Sequence, residues 1–258
     1  MTLYERFERV TRKWWFYFLI FVIQFLPPYP VSSVTSSQDF NRLVIEILSH
    51  ALVFSWVSLY PLFKVAPLVF LFLLFFFPKI GVLFHLFVAF QYLLFAFLQN
   101  VAFLENRGFA MLTSNVAMMT LVALAFLGEA FARKNTFSFG RMNWKKWFIV
   151  GIAMFALWYP IDMVTFRPNF QVVSFFTNVA GLTFCMMTPF YLMILLLGYP
   201  GVNLVVLRIT GLIGAILGGY NFFLNFIFDF SKFWWNGVLH LPLLFLSVYA
   251  LILSLGHD

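Results

Sequence analysis

Glu46, His50, Asp162, Cys185, Asn221, Asn225 and His240 are the side chains in this sequence whose types and surroundings could do chemistry, because each falls in or beside a long apolar stretch. Glu46 and His50 are spaced i, i+4, which puts both on one face of a helix within reach of each other. Such a pair can fix an imidazole tautomer or share a cation. With Asp162 and His240 it would supply enough nitrogen and oxygen ligands for a divalent metal, provided that the elements carrying them converge. His50 and His240 would also serve as the two axial ligands of a haem. Buried hydrogen bonds between helices are the plainer use of the same groups. Cys185 is the one cysteine, which excludes an internal disulfide and any zinc or iron-sulfur site built from several thiolates. It is left as a nucleophile or as a small packing residue. No phosphate-binding Walker loop, dinucleotide fingerprint or H-E-x-x-H sequence is present, so nucleotide use and zincin chemistry have no support.

The elements that must position these groups follow from composition. Hydrophobic residues make up 63% of the chain and charged residues 10%, with a mean hydropathy of +0.95. A soluble globule of this length needs a charged exterior, and 16 Lys and Arg with nine Asp and Glu cannot cover one. Lipid is therefore the expected solvent. The apolar residues fall into runs near the ~20 residues that a spanning helix requires, and no sustained period-2 alternation suggests a β-barrel. The fold class is accordingly all-α, a polytopic transmembrane bundle forming a single membrane domain over residues 1–258.

Candidate spans run over 14–26, 43–63, 80–103, 109–132, 147–166, 172–197, 204–228 and 237–255, about eight in all. A further run, 65–77, is bracketed by Lys64, Pro67, Pro78 and Lys79; at 1.5 Å per residue it reaches only ~20 Å, so it is expected to be re-entrant or buried against protein. Basic residues near span ends are retained on the cytoplasmic side. Eight spans with both termini cytoplasmic place Arg6, Arg9, Arg12, Lys13, Lys64, Lys79, Arg133, Lys134, Arg141, Lys145, Lys146 and Arg208 inside, leaving Arg42, Arg107, Arg167 and Lys232 outside. Trp14, Trp15, Trp144 and Trp147 then mark the inner interface, and Trp234 and Trp235 the outer one. The net charge of +7 reads as attraction to anionic lipid at the plasma membrane of a prokaryote. The expected partners are the bilayer and other membrane subunits, with no nucleic acid. Glu46, His50, Asp162, Asn221, Asn225 and His240 fall toward the outer side, whereas His85, Glu129 and Arg208 fall toward the inner side.

Gly211, Gly214, Gly218 and Gly219 lie in the seventh span, where Gly214 and Gly218 form a small-xxx-small spacing that admits a second helix backbone. The alternative is a glycine-rich helix end that lines a substrate cavity. The order of Cys185 within a helix, a following stretch Gly219, Tyr220, Asn221, Phe222, Phe223, Leu224, Asn225, and His240 at the start of the last span resembles the exosortase and archaeosortase family. The resemblance covers about the last third of the chain. It implies a membrane-embedded cysteine peptidase or transpeptidase that processes sorting signals at the outer membrane face, with Cys185 as nucleophile, His240 as base and Asn221 beside them. The sequence departs from the family in carrying Leu224 where an Arg follows the Asn by three residues, and Met186 and Met187 where a small residue and Gly follow the Cys. Asn221, Asn225 and Arg167 are then the remaining candidates to stabilise an oxyanion.

Three readings of function follow. The absence of a soluble domain and of an intact catalytic motif favours a transport-related protein or a membrane subunit of a larger assembly, with Glu46, His50, Asp162, Asn225 and His240 lining a polar ligand cavity toward the outer face. The first alternative is the cysteine peptidase or transpeptidase just described. The second is a haem- or metal-binding subunit, although no specific cofactor is indicated.

Overall fold

The computed structural model describes residues 3–30, 37–140, 142–162, 165–228 and 230–256. Arg141, placed inside by the charge count, lies outside these residues. An amphipathic α1 (Leu3–Thr11) leads into the apolar α2 (Trp14–Ile23) and then α3 (Ser37–Ser49). A 3-10 turn over Leu52–Leu59 continues directly into α4 (Tyr60–Phe76), giving one helical segment of 25 residues. There follow α5 (Gly81–Leu94) with a π-helical extension to Gln99, a hairpin of β1 (Val101–Leu104) and β2 (Gly108–Met111), and α6 (Thr113–Ala132). The chain ends with α7 (Trp144–Trp158), α8 (Val172–Thr177), α9 (Phe184–Gly198), α10 (Leu204–Phe223) and α11 (Phe230–Leu255). Segments Leu52–Phe76, Pro78–Gln99, Thr113–Ala132, Leu204–Ile227 and Phe230–Leu255 are each long and apolar enough to cross a bilayer. The broken pair Val172–Leu182 and Phe184–Gly198, bent by 91°, passes the same test when taken together. Large apolar side chains such as Phe18, Phe25, Leu62, Phe72 and Phe131 are exposed around the rim, as lipid contact requires.

Several sequence boundaries shift. The run 65–77, expected to be re-entrant or buried, is the second half of the 25-residue Leu52–Phe76 segment. Lys64, taken for a loop residue, is fully buried within α4; its Nζ donates to the Trp158 carbonyl at 3.3 Å and lies 4.6 Å from the Phe175 ring centre. An ammonium placed against the open carbonyls of a helix C-terminus is tolerated where one in hydrocarbon is not. The expected span 43–63 is correspondingly split at Ser49, with α3 a separate amphipathic helix whose Leu43 and Ile47 are buried over Ala102, Leu104 and Ala110 of the hairpin. Phe103 and Phe109, read as span ends, pair with each other across that hairpin. Asn100 prevents the helix from continuing: its side-chain amide donates to the Phe95 carbonyl at 2.9 Å while its own carbonyl accepts from Leu112 N. The described residues of 159–166, read as the end of a span, lie beyond the end of α7, and residues 163 and 164 lie outside the described residues.

Helix α9 is the axis of the bundle. All of its residues except Cys185 are buried. Tyr92 on α5 stacks on Phe126 of α6 and meets Phe184 edge-on, and its hydroxyl donates to Thr188 Oγ1 at 3.0 Å. Gln91 accepts from the Tyr191 hydroxyl and donates to the Gly181 carbonyl at the bend that precedes α9. Bonds buried this deeply cost little entropy once packing is complete, and each would be expensive to leave unmade. At the far end Lys146 Nζ donates to the Leu197 carbonyl, closing the α9 C-terminus with a cation.

The basic residues gather at that end. There the Glu129 carboxylate accepts from Asn135 N at 2.6 Å and from Asn203 Nδ2, Asn135 Nδ2 contacts His85 Nε2 at 2.6 Å, and the Tyr4 hydroxyl donates to Asn203 Oδ1 at 3.2 Å. Burial, with Glu8 and Glu129 nearby, pushes the Tyr4 hydroxyl up to about 12, so it remains a donor at neutral pH. Arg208, fully buried, donates to Thr11 Oγ1 at 2.8 Å and to the Ser254 carbonyl at 2.6 Å, tying α1, α10 and α11 together. The glycine face of α10 packs on α11: a Cβ at Gly218 would lie 2.9 Å from Leu244 Cα, and one at Gly211 would lie 2.9 Å from the Ser247 carbonyl. Packing therefore accounts for Gly211 and Gly218, while Gly219 faces open space.

Candidate functional site

At the end of the bundle opposite the basic residues, a cavity of about 140 Å³ opens between α9, α11, the end of α5 and the loop after α7. Cys185, His240, Gln99, Tyr159 and Thr183 are its polar lining, with Met186 among the apolar residues. Two helices carry Cys185 and His240. Cys185 is the second residue of α9, in the first turn, where backbone N–H groups have no intrahelical acceptor. His240 sits on α11 and is 9% exposed; its Nδ1 lies 2.7 Å from the Asn236 carbonyl one turn earlier. A carbonyl only accepts, so Nδ1 carries the proton and Nε2 carries the lone pair. Among the described residues Nε2 has no hydrogen-bond partner.

A chain of amides braces the pair. Asn221 Nδ2 donates to the Leu217 carbonyl at 2.9 Å and lies 3.8 Å from Cys185 Sγ. Asn225 Nδ2 donates to the Asn221 carbonyl at 2.7 Å, and its Oδ1 accepts from Asn236 Nδ2 at 2.8 Å. Asn236 Oδ1 in turn accepts from the Tyr159 hydroxyl at 3.2 Å. Tyr159 closes α7 in the left-handed region at φ 52°, an unfavoured conformation for a bulky residue. Asn178 Nδ2 holds it there by donating to the Trp158 and Tyr159 carbonyls, and Trp235 Nε1 ties the next residue, Pro160, to α11. A thiol and an imidazole lining one small space, on helices joined by side-chain amides, have the parts of a nucleophilic acyl-transfer site.

The other residues singled out from the sequence take local partners. Glu46 pairs with Arg107 of the hairpin turn at 3.6 Å. His50 does not meet the Glu46 carboxylate; helix α3 stops at Ser49, and the exposed ring folds back onto the Glu46 carbonyl at 3.0 Å. Asp162 Oδ1 accepts from Thr165 N at 2.7 Å and from the Thr165 hydroxyl at 2.9 Å, which makes it a turn cap. None of the three lines the cavity. Asn221 and Asn225, expected beside the ligand, do not line it either; Asn221 only touches Cys185 from the brace described above. No group of three or more His, Cys, Asp and Glu side chains among the described residues could hold a metal ion. The cavity is also well below the roughly 300–1,000 Å³ of pockets that take drug-sized ligands, so a macrocycle between His50 and His240 has no room there. Sequence reasoning missed Gln99, Tyr159 and Asn236, because each is a neutral residue without a spacing pattern of its own, the first two at helix ends and Asn236 in the second turn of α11. No family model, curated protein or solved structure matches this chain.

Proposed function

We propose that this chain is a membrane-embedded cysteine enzyme of the acyl-transfer type, a peptidase or transpeptidase as the C-terminal resemblance implies, with Cys185 as nucleophile and His240 as general base. The observation that carries the reading is that Cys185 and His240, brought from separate helices, line one cavity, with His240 Nδ1 held by the Asn236 carbonyl so that Nε2 carries the lone pair. In this reading the basic end of the bundle faces the cytoplasm of a prokaryote, the cavity opens toward the outer face, and residues 1–258 act as one membrane domain. Helices α2, α4, α5, α6, α7, α9, α10 and α11 would make the crossings, α2 being the shortest at ~15 Å and completed by the apolar residues that follow it, and α7 and α9 being short at ~22 Å each. The transport reading loses its support, since of the ionisable residues proposed for its cavity, Glu46, His50, Asp162 and His240, only His240 lines the space observed.

The test is the alkylation of Cys185 by iodoacetamide in protein reconstituted in lipid. The base raises the thiolate fraction, so His240→Ala lowers the second-order rate at Cys185 by roughly tenfold or more at neutral pH. Equal rates in the two proteins, with both shown folded by thermal unfolding, would remove the enzyme reading.

A further inference from the structure

The resemblance leaves the oxyanion without its usual arginine, and the side chains that the sequence offers in its place are occupied or distant. Asn225 Nδ2 is spent on the Asn221 carbonyl, Asn221 Nδ2 is shared between the Leu217 carbonyl and the thiol itself, and Arg167 is exposed on the loop after α7. One other amide lines the cavity. Gln99, at the end of the helical segment that begins at Pro78, accepts a hydrogen bond from Phe184 N at 2.9 Å through Oε1. A backbone N–H can only donate, so this bond fixes which end of the amide is which: Oε1 points at the start of α9, and Nε2 is the free end. Nε2 has no hydrogen-bond partner among the described residues, while the residue to which Gln99 is anchored immediately precedes the nucleophile. Cys185 N–H, in the first turn of α9, is likewise without an intrahelical acceptor.

We infer that Gln99 Nε2 and the backbone N–H of Cys185 form the oxyanion hole of this site, and that its substrates are therefore carbonyl compounds with an acyl group to transfer. The inference rests on the proposed Cys185 and His240 chemistry. As Sγ bonds to the carbonyl carbon, the thiol proton passes to His240 Nε2 and the carbonyl π pair moves to oxygen, where the two N–H groups receive it. Collapse of the tetrahedral adduct restores the carbonyl and expels the leaving group, which takes the proton from His240. The thioester left on Cys185 is attacked by water or an amine, the incoming proton passes to His240, and the same donors hold the second oxyanion before the thiol leaves protonated. The end of a helix N-terminus is a favourable place for this negative charge, and anchoring through Phe184 places the side-chain amide beside it without a charged residue.

Two reagents separate this assignment from the reading beneath it. Iodoacetamide reacts by displacement and forms no oxyanion, whereas a short peptide aldehyde, acetyl-glycinal, adds to the thiol as a hemithioacetal whose oxygen would occupy the hole. Aldehyde binding is read as protection of Cys185 from iodoacetamide. Gln99→Met removes the donor at nearly constant size and is expected to weaken aldehyde protection at least tenfold, consistent with the roughly 10²–10³-fold cost of losing one oxyanion donor. The substitution also removes the acceptor of Phe184 N, so its iodoacetamide rate without aldehyde is read beside it, and a thiol that still reacts shows that the site is folded. Gln99→Glu retains an acceptor for Phe184 N and is expected to lose aldehyde protection as well. Unchanged protection in both variants, or no protection of the wild type, overturns the oxyanion assignment while a His240-dependent alkylation rate leaves the nucleophile and base in place. An alkylation rate indifferent to His240 removes both.

Discussion

Substituting Gly218 by Ala tests whether the contact between α10 and α11 sets the geometry of the site as well as the stability of the bundle. The added Cβ would lie 2.9 Å from Leu244 Cα, 3.0 Å from Leu244 N and 3.1 Å from Leu244 Cβ, whereas ordinary contact begins at 3.4 Å. Two of these atoms are backbone, so no rotamer change relieves the clash, and α11 must move away by at least about 0.5 Å at this point. Overpacking of this kind costs ~1–3 kcal/mol. At roughly 2–4 °C per kcal/mol for a chain of this size, unfolding in detergent should shift down by several degrees. Gly219→Ala is the control, because its Cβ meets nothing within 4 Å and an Ala in a helix is favoured over Gly by ~1 kcal/mol. The neighbouring substitutions should therefore differ in sign. Leu244 is one turn beyond His240 on the same helix, so the displacement is carried to the proposed base. Misplacement by about 1 Å can cost on the order of 10²-fold in rate, and even half of that should slow Cys185 alkylation in Gly218→Ala measurably more than in Gly219→Ala. Equal melting temperatures for the two variants would refute the packing argument, and a lower melting temperature with an unchanged alkylation rate would refute its link to the site.

Three other outcomes follow from groups away from the thiol. Asn178→Ala leaves the Trp158 carbonyl with Lys64 alone and removes the side-chain donor to the Tyr159 carbonyl, so it should destabilise by ~1–3 kcal/mol and lower Cys185 reactivity by loosening Tyr159; chemical denaturation and alkylation read the two effects. Glu129→Leu strips acceptors from Asn135 N and Asn203 Nδ2 in a buried network, and a loss of ~2 kcal/mol or more is expected in the same unfolding assay, with iodoacetamide reactivity at the opposite end unaltered. In a Cys185→Ala background, a reporter cysteine at Glu105 in the hairpin turn should react with a membrane-impermeant maleimide on intact cells, whereas one at Lys134 should react only after permeabilisation; the reverse pattern would invert the proposed orientation.

Much of the bundle was legible from the sequence because the burial of long apolar runs leaves little choice of secondary structure. The errors cluster where one residue overrides the local pattern. Lys64 looks like a span boundary by hydropathy, yet a helix C-terminus brought to it from 94 residues away supplies the carbonyl that keeps it buried. Asn100 looks like part of a continuous span, but its amide caps the preceding turn and starts a hairpin. The pair Glu46 and His50 was legible as a spacing and not as a site, because the i, i+4 relation brings side chains together only while the helix lasts, and α3 stops at Ser49. Charge counting misplaces Lys64, which it groups with the inner basic residues although the side chain meets the Trp158 carbonyl beside the cavity residue Tyr159, whereas Arg208 reaches Thr11 and the Ser254 carbonyl from within α10.

The site shows the same division between what a chain pattern carries and what only three dimensions supply. The order of Cys185, the asparagine-bearing helix and His240 survives as spatial adjacency because α9, α10 and α11 are consecutive helices packed together, and Gly211 and Gly218 draw α10 and α11 into backbone contact. Gln99 has no such sequence proximity: it lies 85 residues before Phe184, and its approach depends on α9 beginning at a sharp bend rather than continuing a straight span. The bend leaves the first turn of α9 open to the cavity, so the same break that shortens the helix exposes the N–H groups beside Cys185. Breaking a membrane helix in a protein-lined space costs less than breaking it in lipid, since neighbouring elements can satisfy the freed backbone. Here Gln91 takes the Gly181 carbonyl and Gln99 takes Phe184 N, one on each side of the bend. If the bend serves the site, displacing it should suppress aldehyde protection even when the thiol remains accessible. Converting Gly181 to Ala is the direct attempt: its Cβ would lie 2.9 Å from Lys64 Cγ and 2.9 Å from the Phe63 carbonyl carbon, so α4 and the bend must part. Loss of aldehyde protection with iodoacetamide labelling retained would show that the bend positions the donors, whereas retention of both would separate the broken helix from the chemistry.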